Sequence, residues 1–200
     1  MRTFHLAVSA LLVVCGIALP TVLGALWADY DPSRSYLSEL GAANAPHAAI
    51  MNYAGFLPVG ILWTLSVALL YARSPKSGLL LAGALLLLGN SVSYLGASVF
   101  PCDAGCPMEG SNSQTMHNLL GVIGYLATPP ALLCLGLAFL KSSRTLALVT
   151  LITAAICVTG FIVMASPGAS QVLGLAQRSI DFTQFVWIFA AALLITRQRA

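Results

Sequence analysis

The sequence predicts an all-α fold: a polytopic bundle of six transmembrane helices, with a short interfacial helix in its first outer loop. Three observations carry that expectation. Of the 200 residues, 58% are hydrophobic and 8% charged, where a soluble domain carries about 25% charged residues. Six apolar runs approach or exceed the roughly 20 residues that cross about 30 Å of hydrocarbon. The charges fall between or at the ends of those runs, mostly basic on one side and acidic on the other. A transmembrane barrel is excluded, because its strands would alternate apolar and polar residues. Neither a basic stripe nor a nucleic-acid motif is present, so the expected partners are membrane lipids and not nucleic acid. One domain is expected over residues 1–200.

The first run, Leu6–Trp27, follows Arg2 as the core of a signal peptide would. It exceeds the usual core of about 7–15 residues, and Leu26-Trp-Ala28 is a poor cleavage site, so it is read as a retained span. Ile50–Tyr71 and Gly78–Ser98 follow, joined by a short basic link. The fourth and fifth runs, His117–Leu140 and Thr145–Ala165, are connected by Lys141-Ser-Ser-Arg144. That link forces an antiparallel hairpin. Ser179–Thr196 completes the set. Pro20, Pro58 and the Pro129-Pro130 pair interrupt spans one, two and four, where neighbouring helices re-satisfy the freed carbonyls. Cys15, Cys134 and Cys157 lie within spans and read as small packing residues.

Orientation follows from lysine and arginine. With the N-terminus inside, the cytoplasmic face holds Arg2, Arg73, Lys76, Lys141, Arg144, Arg197 and Arg199, and the outer face only Arg34 and Arg178. All six acids, Asp29, Asp31, Glu39, Asp103, Glu109 and Asp181, then fall outside. The expected location is the plasma membrane, with both termini cytoplasmic.

The outer loops are the polar part of the chain. In the first, Asp31-Pro32 reads as a helix start, and Gly41 as a left-handed stop. Tyr36, Leu37 and Leu40 between them share one face, as in a helix lying at the interface. The second outer loop holds Phe100-Pro-Cys-Asp-Ala-Gly-Cys-Pro107. Outside the cytoplasm disulfides persist, and three intervening residues with Gly105 among them let Cys102 and Cys106 meet. A metal or redox role and a pair of free thiols are the alternatives. Zinc would want four ligands, and Asp103 or His117 would have to join the cysteines.

Polar groups inside spans are costly and suggest function. Gln177, Arg178 and Asp181 lie at i, i+1 and i+4 where span six opens, and Arg178–Asp181 is a candidate ion pair. Asn90 and Tyr94 lie in span three, His117 and Asn118 at the start of span four, Asn52 in span two and Asp29 at the end of span one. Counted at 1.5 Å per residue, these sit within roughly the outer 12 Å. Such coincidence of depth predicts a wet pocket that opens outward, roofed by the first loop and the Cys102–Cys106 turn.

Several short runs together resemble one family. Tyr30-Asp-Pro32, Ser38-Glu-Leu-Gly41, Asn52-Tyr-Ala-Gly-Phe56, Phe100-Pro-Cys-Asp103, His117 and Gly174-Leu-Ala-Gln-Arg178 are similar to the domain of unknown function 998 family of prokaryotic multi-pass membrane proteins. The resemblance covers nearly the whole chain and implies a helical bundle in the plasma membrane. It brings no activity. Ala176 departs from the larger or aromatic residue expected before Gln177-Arg178, a change that would widen the pocket floor.

The expected function is binding of a lipid or small molecule in that pocket. The alternative is an intramembrane hydrolase or transferase acting on a lipid or lipid-linked substrate. His117 would be its base or a metal ligand, Asp181, Glu39 or Asp103 its carboxylate, and Arg178 a phosphate clamp. No catalytic signature forces that view. No cofactor and no metal are expected: His5 lies on the wrong face, and neither His47 nor His117 has a partner at helical spacing, which argues against a haem. Transport ranks last, because inner halves such as Leu79–Leu88 offer no polar path.

Overall fold

A computed structural model of the chain describes residues 2–198, so Arg199 lies outside the described residues, as does the side chain of Arg2. The fold is all-α, with no strand among the described residues. Six helices are long and apolar enough to cross a membrane: α1 (Thr3–Ala25), α2 (Ala48–Arg73), α3 (Gly78–Val99), α4 (Asn112–Phe139), α5 (Arg144–Met164) and α6 (Leu173–Arg197). Two of them begin earlier than their apolar runs. Ser111 caps α4 by accepting from the Gln114 amide, which starts the helix before His117. The first turns of α6 likewise precede Ser179. His117 and Asp181 therefore stand more than a turn inside their helices.

Each helix packs on the next, and α6 packs back on α1 to close a ring. Lipid removes the hydrophobic driving force between helices, so close packing and internal hydrogen bonds hold them. Trp63 donates to the Leu87 carbonyl at 2.8 Å and Trp187 to the Thr150 hydroxyl at 2.9 Å, so both buried indoles are satisfied. A Cβ at Gly83 would sit 2.6 Å from Leu135 Cγ, which explains a glycine where α3 meets α4.

The prolines act differently from one another. In α1 and α2 the backbone widens into π turns, Val14–Ala18 and Met51–Phe56, just before Pro20 and Pro58. Proline has no N–H, and its ring clashes with the carbonyl four residues back. A wider turn relieves both problems. Pro129 and Pro130 instead lie within a continuous α4.

Residues 26–47, 100–111 and 165–172 connect helices at one end of the ring, and short basic links close the other. The helical element of the first loop is a 3-10 turn, Leu37–Gly41, shorter than the Asp31–Gly41 helix expected. Asp31 spends its carboxylate on the Ser33 amide and hydroxyl, forming an Asx turn, and also pairs with the exposed Arg34. Tyr36 caps the 3-10 turn, and its amide donates to Glu39 Oε1 at 2.7 Å. Leu37 and Leu40 are buried against the bundle. Gly41 is not left-handed; the positive-φ glycines described are Gly105 and Gly168. It is glycine because a Cβ there would strike the Asn52 side chain and the Phe56 ring.

Candidate functional site

Three helices carry polar stripes that meet below the Leu37–Gly41 turn. On α3, Asn90, Ser93, Tyr94 and Ala97 follow at i, i+3, i+4 and i+7; on α4, His117, Gly121 and Tyr125 follow at i, i+4 and i+8. Gln177 and Asp181 are i, i+4 on α6. These spacings put each set on one helix face. Together with Leu37, Ser38 and Phe56 they line a cavity of about 50 Å³. That is room for about one or two water molecules, well below the roughly 300–1,000 Å³ of a drug-sized site.

Asp181 is 5% exposed, and its carboxylate accepts from the Tyr125 hydroxyl at 3.4 Å. Tyr125 in turn accepts from Gln177 Nε2 at 2.8 Å, and Gln177 Oε1 accepts the Leu37 amide at 2.5 Å. The chain of bonds thus runs from the carboxylate to the loop above it. Tyr94 Oη is buried facing the same carboxylate, with no hydrogen bond of ordinary geometry to it. Below, Asn90 Nδ2 donates to Thr128 Oγ1 at 2.9 Å and Gln184 Oε1 at 2.8 Å, forming a satisfied floor.

His117 Nδ1 lies 2.9 Å from the Phe100 carbonyl. A carbonyl only accepts, so the neutral ring carries its proton on Nδ1 and keeps a lone pair on Nε2. No carboxylate bonds to His117. Asp103 turns away, accepting the Ser111 amide and hydroxyl at 2.8 Å each; those bonds hold its carboxyl below the ordinary aspartate range. Glu39 caps its own turn, and burial raises its carboxyl above the ordinary value.

Cys102 and Cys106 stand at disulfide distance, with Cα atoms 5.1 Å apart. Gly105 takes φ +75° to close the turn. Ser38 Oγ lies 3.3 Å from Cys106 Sγ, and the Ala43 amide donates to the Cys102 carbonyl at 2.9 Å, so the two loops form one roof. One His117 ring nitrogen and both sulfurs lie within 4.8 Å of one another. Bonded sulfurs leave no thiolate to ligate zinc.

Of the residues picked out from the sequence, Asn90, Tyr94, His117, Gln177 and Asp181 line the cavity. The others serve elsewhere. Asn52 donates to the Gly41 carbonyl and Asn118 to the Pro107 and Met108 carbonyls, each fastening a loop. Asp29 is exposed. Arg178 does not pair with Asp181; it reaches the Pro32 and Ser35 carbonyls and the Tyr30 hydroxyl. Ala176 packs toward α5 beside Gly160, away from the cavity floor. Tyr125 and Thr128 were missed in the sequence, although Tyr125 extends the i+4 stripe from His117.

The family model described as Protein of unknown function (DUF998) matches residues 6–194. No curated protein and no solved structure matches the chain.

Proposed function

The chain belongs to the DUF998 family, and we propose that this multi-pass membrane protein binds a small molecule, or the polar end of a lipid, in its cavity. The chain's nine lysines and arginines divide seven to two between the ends, which supports a plasma-membrane protein with both termini cytoplasmic and the cavity facing outward. The observation that carries the reading is Tyr94. A buried phenol that meets the buried Asp181 carboxylate without a well-formed hydrogen bond, beside the spare lone pair of His117, is a polar lining with capacity for one more polar occupant. Its present volume admits only a few atoms, so a larger occupant enters by lifting the Leu37–Gly41 turn.

Binding is favoured over catalysis because His117 bonds a carbonyl and not an acid. A transport path is disfavoured by the packed layer of Trp63, Leu87, Leu132 and Trp187 farther along the bundle.

The test is native mass spectrometry of protein extracted in mild detergent, followed by release and identification of whatever is bound. Wild type should carry a discrete species that Tyr94→Phe and Asp181→Asn lose while melting within a few degrees of wild type. An empty wild type, or both variants as fully loaded as wild type, overturns the reading.

A further inference from the structure

A second recess lies on the flank of the bundle, between α1 and the first turns of α6, apart from the cavity above. It is a groove of about 490 Å³, within the size range of small-molecule sites. Its deeper wall is apolar, built by Pro20, Gly24 and Phe182, and its rim is formed by Trp27, Tyr30 and Arg178. Trp27 and Tyr30 stack with centroids 5.5 Å apart. Such amphipathic rings gather at headgroup level in membrane proteins.

Arg178 sets the chemistry of the rim. Nη1 donates to the Pro32, Ser35 and Gly174 carbonyls at 2.8, 3.0 and 3.0 Å, and Nη2 to the Tyr30 hydroxyl. All four acceptors are neutral. A guanidinium has five N–H bonds, so Nε and the second Nη2 hydrogen are left for an acceptor from outside. Glu39 and Asp181 feel the charge, yet neither closes an ion pair with it. The groove wall contains no acid. The rim therefore matches a phosphodiester. Of the acids beside it in the chain, Asp31 is committed to Ser33 and Arg34 and Asp29 lies outside the lining, so the lining itself does not answer the ammonium of a zwitterionic headgroup. A net-negative lipid is the complementary occupant.

We propose that this groove seats one anionic phospholipid. Its phosphodiester lies on Arg178, and the upper part of an acyl chain runs along Pro20, Gly24 and Phe182.

Delipidated protein in detergent, titrated separately with phosphatidylglycerol, phosphatidylcholine and inorganic phosphate under native mass spectrometry, tests this. Wild type should take up one phosphatidylglycerol about tenfold more tightly than phosphatidylcholine, because both offer the phosphodiester but choline adds a positive charge beside Arg178. Arg178→Gln should lose that preference, whereas Arg34→Gln in the exposed loop should keep it. Thr21→Trp fills the groove without touching the guanidinium, so it should also abolish uptake, and it decides the matter if Arg178→Gln fails to fold. Equal binding of the two lipids overturns the proposal, as does undiminished phosphatidylglycerol binding by Thr21→Trp. Displacement of the lipid by millimolar inorganic phosphate would mark a free-anion site and overturn it equally.

Discussion

Gly41 shows how one missing side chain shapes the roof. The Asn52 amide donates to the Gly41 carbonyl at 3.0 Å, and the same side chain presses on the Gly41 Cα with the Phe56 ring beside it. Gly41→Ala forces a methyl into this contact and should cost about 1–3 kcal/mol, the usual range for overpacking. Thermal unfolding in detergent should show a clear fall in Tm; an unchanged melt would mean that the turn simply moves aside. Sequence reading found the right residue for the wrong reason. A glycine that ends a helix and a glycine that admits a neighbour look alike until the neighbour, eleven positions away, is known. Asp31 misled similarly: its carboxylate satisfies the Ser33 amide and hydroxyl, and no helix begins there.

At the scale of helices, α3, α4 and α6 are joined by side chains that no apolar run reveals. Asn90 bridges Thr128 and Gln184, each on a different helix, in a setting where hydrogen bonds replace hydrophobic attraction. Asn90→Ala and Gln184→Ala should each cost about 1 kcal/mol, in line with such bonds in membranes. The double variant should cost clearly less than the sum, because both remove one shared bond. Equilibrium unfolding in mixed micelles measures all three, and strict additivity would show that the bridge contributes nothing. The six helices themselves were legible, since length and apolarity decide whether a segment can cross lipid. Their polar first turns were not. Ser111 begins α4 before His117 by capping, and a hydropathy window discards those residues as loop. The cavity was half legible for the same reason. Depth along the helices was countable, but the direction of a side chain around each axis was not, so Asn52, Asn118 and Arg178 were grouped with residues they do not face.

For the whole molecule, orientation and roof stand or fall together. The inferred topology puts Cys102 and Cys106 outside the cytoplasm, where their bond endures. Intact cells treated with a membrane-impermeant maleimide should show no labelling at this pair until a reductant is added, and full labelling afterwards. Labelling without reductant would remove the clasp, and its absence even after reduction would place the loops on the other face. The closed ring also has a consequence for how the chain is made. The sixth helix, synthesised after the other five, supplies Gln177, Asp181 and Gln184, and it also covers the open flank of α1. Until it arrives, Tyr125 lacks Gln177 and Asp181, and the Asn90–Thr128 pair lacks Gln184. A nascent chain stalled before residue 173 is thus an unfinished circle with its wettest side chains uncovered, and completion comes in one step when the sixth helix docks.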